Sequence, residues 1–195
     1  MDSQTLQSLK HLVNHISPVD AEEWIAFANL WQPYSAKRKD LLTRAGERER
    51  YLYFVLTGVQ RIYYLDEDGR EATIVFTYGP SFGGVVDAML LGTASKYFFE
   101  ALTDSTFLRA PASELHHVMK MCPSVEVMVN KAVVMAFSGV LQRLVELQSF
   151  SSKEKFQVLM KRSPHILQLI PHKYIANYLG IDATNFSKLI NTVRI

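Results

Sequence analysis

The sequence predicts an α+β chain. An antiparallel β-barrel or sandwich is framed by helices, and a long helix and a C-terminal pair of short helices follow it. Three observations predict this. Aromatic and β-branched runs recur at short intervals between residues 51 and 110, separated by turn residues. The segment from Pro123 to about Gln148 is apolar on most sides. After it come two short amphipathic segments joined by Gly180-Ile181-Asp182. The implied division is 1–122 for the N-terminal helices and barrel, 123–150 for the long helix, and 151–195 for the C-terminal helices.

Leu6, Leu9, Leu12 and Val13 fall at helical spacing over Ser3 to Ile16, and Ser17-Pro18 ends that helix. Asp20, with Glu23 three residues on, predicts the start of a second helix running to about Leu30. Strands are predicted over Tyr51–Leu56, Val59–Leu65, Glu71–Tyr78, Tyr97–Leu102 and Ser105–Ala110. Asp68-Gly69, between two of them, is a hairpin signal because these residues tolerate positive φ. Helical periodicity returns at Ser113. Within the long segment only Glu126, Asn130 and Lys131 interrupt the apolar run from Val125 to Phe137. One small barrel covers one face of such a helix, so the other face needs a partner, most simply the same helix of a second copy; a central helix buried within one chain fits the same pattern. Ser151 and Glu154 form a capping box for the next helix, which stops near Ser163-Pro164.

Of 195 residues 48% are apolar and 21% charged, which supports a packed core and argues against disorder. The single cysteine, Cys122, excludes an internal disulfide framework, a four-cysteine zinc site and a four-cysteine iron–sulfur cluster. No basic-then-apolar leader opens the chain, and no apolar stretch approaches the roughly 18 residues of a membrane span. A soluble, cytoplasmic protein without membrane contact is expected. Charge is uneven: residues 1–150 carry 14 basic and 17 acidic side chains, a net −3, whereas residues 151–195 carry seven and two, a net +5. A basic end on an acidic body points toward a polyanion partner.

The last two helices sharpen that reading. Tyr174, Ile175, Tyr178 and Leu179 give the first an apolar face, and Gly180 supplies a left-handed turn. Asp182 caps the second helix, predicted over Ala183–Val193, and Phe186, Leu189 and Ile190 pack it back. This is a helix-turn-helix pattern. Thr184, Asn185, Ser187, Lys188 and Asn191 point outward, and Lys173 opens the first helix. These are hydrogen-bonding or cationic groups of the kind that contact base edges and phosphates of double-stranded DNA. An ordinary αα-hairpin with a solvated face fits the same residues. So does a small-molecule sensor whose C-terminal helices dock a protein.

The order helix, antiparallel barrel, long apolar helix and basic helix-turn-helix resembles the Crp/Fnr family. The resemblance rests on Tyr53-Phe54-Val55-Leu56-Thr57-Gly58-Val59-Gln60-Arg61, on the hairpin from Tyr64 to Glu71, on Ser81-Phe82-Gly83, and on the run from Ile170 to Ile181. It implies a jelly-roll barrel of the cyclic-nucleotide-binding type, dimerisation through the 123–150 helix, and DNA-binding transcription regulation. The family's phosphate cassette is Phe-Gly-Glu followed after a short helix by Arg-Ser or Arg-Ala. Here the matching residues are Phe82, Gly83 and Gly84, with Lys96 and Tyr97 at the Arg-Ser position. The ribose-binding glutamate is therefore a glycine, and the bidentate arginine is a lysine. At about 1.5–3 kcal/mol per charge-assisted hydrogen bond, these losses move micromolar binding to millimolar or weaker. Neither cAMP nor cGMP is expected to bind usefully, and another small ligand is possible. Asp87 is the one nearby carboxylate in sequence able to replace the glutamate. A C-terminal β-hairpin wing, which often ends the family's DNA-binding domain, is not expected after the last helix, and its lack should weaken phosphate contact.

Other residues carry less. His11 and His15 share a helix face without a third ligand, and His116-His117 point to different faces, so no metal site is expected. Cys122 lacks a resolving cysteine. No nucleophile–base–orienter set or paired carboxylates suggest an enzyme.

Overall fold

The computed structural model describes residues 2–192. In chain order the elements are helices α1 (Ser3–Ile16) and α2 (Ala21–Ala28), then strands β1 (Gln32–Ala36), β2 (Leu41–Thr43), β3 (Tyr51–Thr57), β4 (Val59–Leu65), β5 (Glu71–Tyr78) and β6 (Ser81–Gly83). Helix α3 (Val86–Leu91) precedes β7 (Phe98–Ala101) and β8 (Ser105–Pro111). The chain continues with α4 (Ala112–Met121), α5 (Pro123–Ser149), α6 (Ser152–Arg162), α7 (Ile166–Leu169), α8 (His172–Leu179) and α9 (Ala183–Thr192). The predicted end of the last helix at Val193, and Arg194 of the basic tail, lie outside the described residues.

The strands form two antiparallel sheets, in the orders β1-β8-β3-β6 and β2-β7-β4-β5. All their pairings are antiparallel, and the two sheets enclose one core in the manner of a flattened jelly-roll barrel. Period-two alternation sorts the side chains of the first sheet. Tyr53, Val55 and Phe107 face the barrel interior and meet Ile62, Phe99 and Ala101 of the second sheet. Leu52, Phe54, Leu108 and Ala110 face the other way, onto a core shared with α1, α2, α4 and the start of α5. The chain passes between sheets at Gly58. Its φ of +86°, and the Ser105 and Asp104 atoms that would meet a Cβ there, require glycine.

Three short strands, β1, β2 and β6, and the one-turn helix α7 were not predicted. The second helix ends at Ala28 rather than Leu30. Its predicted cap is also corrected: the Asp20 side chain makes no capping bond. Glu23 instead accepts from the Ser124 backbone N–H and hydroxyl, tying α2 to the start of α5. The capping box at Ser151 and Glu154 is present, and the hydrogen bonds from Ser151 hold the Glu154 carboxyl below its ordinary range.

Helix α5 changes character along its length. Val125, Met128 and Val129 are buried against the barrel's helices. Beyond them its buried residues are Arg143 and Glu146, while Val134, Phe137, Val140, Leu141, Leu144 and Val145 are exposed. By length and composition α5 could cross a membrane, which corrects the expectation that no segment approaches that length. Yet it is packed into the barrel's helices at one end and into the C-terminal helices at the other.

Those C-terminal helices share a core with the outer face of the second sheet. Phe156, Ile175, Leu179 and Phe186 join Val59 and Leu102. Helix α8 lies along β5, the edge strand. The Asn177 side chain accepts from the Thr73 N–H at 2.6 Å and donates to the Glu71 carbonyl at 2.7 Å, so one amide satisfies both backbone groups. Asn177→Ala should cost about 1–3 kcal/mol in a urea titration, since it strands a donor. It should also speed amide exchange at Thr73 while leaving the interior strand β3 protected.

Candidate functional site

The first candidate surface is α8–turn–α9. Gly180 takes φ +63° and Ile181 is buried between the helices, as the sequence predicts. Asp182 accepts from the Asn185 backbone N–H at 2.8 Å. Phe186 and Leu189 bury the inner side of α9, with Phe186 edge-on to Phe156 of α6. Thr184, Ser187, Lys188 and Asn191 are exposed and Asn185 is half-buried. Asn191 is folded back, donating to the Ser187 carbonyl. Lys173 is exposed at the start of α8, its ammonium 4.6 Å from the Tyr174 ring.

What holds this surface in place was invisible in the sequence. Arg61 on β4 is 2% exposed and binds Glu71 at 2.6 Å and Glu100 at 2.8 Å. Its guanidinium lies between the rings of Tyr63 and Tyr174, 3.9 and 4.0 Å away, so barrel and α8 share one cation. Nearby, Arg143 of α5 stacks on Tyr178 and donates to the Tyr178 carbonyl, and Glu146 pairs with both Arg143 and Arg162. Tyr78 reaches the Ser163 hydroxyl at 2.6 Å. No local motif announces the contacts that join the barrel and α5 to the C-terminal helices, because Arg61–Tyr174, Arg143–Tyr178 and Tyr78–Ser163 each pair residues far apart in the chain.

The second candidate is the barrel interior around β6 and α3. Gly83 and Gly84 are buried, and Gly84 has φ +122°. Phe82 lies on the helix-facing side of its sheet, stacked on Trp31 at 5.9 Å, so it packs the core outside the barrel. Lys96 is exposed and makes no hydrogen bond or ion pair among the described residues. Tyr97 packs on the interior core, and its N–H is held by the Ser95 hydroxyl. Asp87 is exposed.

The carboxylate beside Gly84 belongs to Glu49, which the sequence did not single out. A Cβ on Gly84 would stand 3.7 Å from Glu49 Oε2. Glu49 is 5% exposed. Its Oε2 accepts from the Thr43 hydroxyl at 2.6 Å and the Val85 N–H at 3.0 Å. Its Oε1 accepts from the backbone N–H groups of Arg50 and Tyr51, at 3.1 and 3.4 Å. Burial raises its carboxyl above the usual range, and these four donors pull it back. The Tyr53 hydroxyl is pushed well above its normal range by burial and by Glu49, with Arg109 opposing. Burial likewise pushes the Cys122 thiol up.

Residues 34–122 match the family of cyclic nucleotide-binding domains. The chain is similar in structure to FixK2 from Bradyrhizobium japonicum, with a TM-score of 0.74, 19% identity and 83% of each chain covered. It is similar to a protein from Eubacterium rectale described as a transcriptional regulator of the Crp/Fnr family, with TM-score 0.71, 19% identity, and 89% and 82% of the two chains covered. It is also similar to CLP, the c-di-GMP-responsive global regulator of Xanthomonas campestris, with TM-score 0.64, 14% identity, and 88% and 90% covered. No curated protein matches the chain in sequence. The barrel is thus a cyclic nucleotide-binding-type domain. The chain as a whole has the fold of the Crp/Fnr regulators, so the resemblance read from its motifs holds in three dimensions.

The raised Glu49 carboxyl sets a pH dependence. A group that holds its proton more tightly when folded stabilises below its unfolded pKa and loses that contribution as pH rises toward the folded value. Urea titrations over the mildly acidic range should show this downward slope in the native protein and its absence in Glu49→Gln.

Proposed function

We propose that the protein is a homodimeric, DNA-binding transcription regulator of the Crp/Fnr type, acting in the cytoplasm and not an enzyme, whose barrel does not use cAMP or cGMP. The observation that carries the DNA reading is the surface of α9. Its apolar side is consumed by α6 and α8, while Thr184, Ser187 and Lys188 are exposed, as is Asn191 with its amide turned back onto the Ser187 carbonyl. Lys188 and Thr184 would reach phosphates or base edges, and Lys173 would contact the backbone from α8.

The dimer reading rests on the seam along α5. Val127, Asn130, Val134, Phe137, Leu141, Leu144 and Gln148 alternate three and four apart, and all are exposed. That is the 3.5-residue repeat of a two-stranded coiled coil, with Asn130 as one polar position. A second copy would cover it and set the spacing of two recognition helices, about one DNA turn or roughly 34 Å apart.

The reading of the pocket rests on Glu49. Both its oxygens are engaged by protein donors, so it has no free acceptor for a ribose hydroxyl in place of the missing glutamate. It also takes the Val85 N–H beside the glycine turn that the family offers to phosphate.

Selection from random duplex DNA, with no nucleotide added, should enrich a palindrome with half-sites one turn apart. Lys188→Glu should weaken binding to that sequence at least about 10-fold without changing the oligomeric state. Unchanged affinity would remove α9 from the interface. Leu141→Glu should yield a folded monomer by sedimentation, with DNA affinity falling as the second half-site is lost. A variant that stays dimeric would show that α5 is not the seam.

A further inference from the structure

Three arginines among the described residues stack on tyrosine. For two of them the protein supplies the anion as well: Arg61 lies between Tyr63 and Tyr174 and binds Glu71 and Glu100, and Arg143 lies on Tyr178 and binds Glu146. The third is Arg109 on β8. Its guanidinium carbon is 4.1 Å from the Tyr34 ring and 4.3 Å from the Tyr51 ring. Tyr34 comes from β1 and Tyr51 from β3, the strands on either side of β8. No carboxylate among the described residues lies within ion-pair distance of Arg109, and its buried Nε–H has no acceptor there.

The register places this group inside the barrel. Arg109 lies opposite Tyr53, on the face that carries Phe107 and Val55. Phe107 and Val55 are fully buried, whereas Arg109, Tyr34 and Tyr51 are half-buried, which puts the clamp at the rim of the interior. Aromatic rings from both neighbouring strands hold the guanidinium plane in advance. The part left for an acceptor is its in-plane edge, where Nε–H and Nη–H together suit an oxyanion.

We propose that Arg109, clamped by Tyr34 and Tyr51, is a binding site for the carboxylate or phosphate group of a small molecule. It rests on the reading that the barrel does not take cyclic nucleotide through Lys96, and it names the chemistry that the interior accepts instead. The cation comes from β8 rather than from the start of β7, so the ligand would lie against the β1–β8–β3 side of the barrel. Glu49, whose charge also acts on Tyr53, disfavours a second full negative charge nearby. A singly charged carboxylate should therefore bind more tightly than phosphate.

The test uses the full-length protein at constant ionic strength, with sodium acetate and inorganic phosphate titrated in separate arms against sodium chloride. The Arg109 Nε–H resonance should shift saturably with acetate, less with phosphate and not with chloride, and the melting temperature should rise with the logarithm of the binding anion. Arg109→Gln should abolish both responses. Arg109→Lys, which keeps the charge without the fork, should weaken them at least about 10-fold, and it serves if the glutamine variant does not fold. Lys96→Ala should leave them unchanged. No saturable response to either anion, or a response that survives Arg109→Gln, overturns the proposal. A cAMP titration on the same samples separates the two readings: binding that Lys96→Ala abolishes would count against the cyclic-nucleotide reading alone and leave the Arg109 arms to stand or fall by themselves.

Discussion

Arg61 is the contact on which the arrangement of the two ends of the molecule depends. A guanidinium at 2% exposure is far too costly to bury unpaired, and removing one partner from such a group typically costs about 3–5 kcal/mol. Burial acts to lower its proton affinity, and Glu71 and Glu100 more than offset that, so the cation is held charged between two strands. Because Tyr174 closes the stack, the same charge that satisfies the sheet also fixes α8. Asn177 then pairs with the β5 edge, and Phe76 meets the ring of Tyr178 at 5.1 Å. The orientation of α9 follows, since α9 packs on α8 and α6 through Phe186 and Leu189.

The same logic inverts the usual order on α5. Its outer half buries Arg143 and Glu146 and exposes the valines and leucines around them. Within one chain this is unfavourable: exposed apolar area costs about 25 cal/mol per Å² relative to burial, and the buried charges must find partners. They do, through Tyr178 and Arg162. The buried charges thus serve the junction with the C-terminal helices, and the apolar seam is left for the second copy in the proposed dimer.

The parts of the fold carried by local pattern were legible. The strands β3, β4 and β5 follow from aromatic and β-branched runs around Asp68-Gly69, and the turn at Gly180 follows from its positive φ. Strands β1, β2 and β6 escaped because they are three to five residues long and β1 contains Pro33, which demotes a run in any propensity argument. Glu23 misled because its spacing from Asp20 suits a capping box, yet its carboxylate is claimed by Ser124, 101 residues away. Glu49, Arg61, Asn177 and Arg109 were illegible for the same reason. Their roles come from sheet order, which places β3 beside β8 and α8 beside β5, and no spacing along the chain encodes that order. For the cassette the sequence showed what Gly84 lacks, and only the fold showed which carboxylate stands next to it.

Sheet order also constrains how a ligand in the barrel could act on α9. A ligand shifts an equilibrium only if it prefers one of two arrangements, so some element between the sites must have two. Two routes leave the interior. One runs from β8 into α4, whose first N–H is held by the Arg50 carbonyl, and from α4 into the buried start of α5. The other runs through the second sheet to Arg61 and Tyr174. The second is pinned by a buried ion network and a bidentate amide, which resist a change in one contact at a time. The first ends where α5 emerges from its own barrel and its apolar side is bare. A change that starts at Arg109, two residues before the end of β8, therefore has its least hindered path along α4 and α5. In the proposed dimer it would act by altering how the two copies of α5 meet, with each α9 carried on its own barrel through Arg61 and Tyr174.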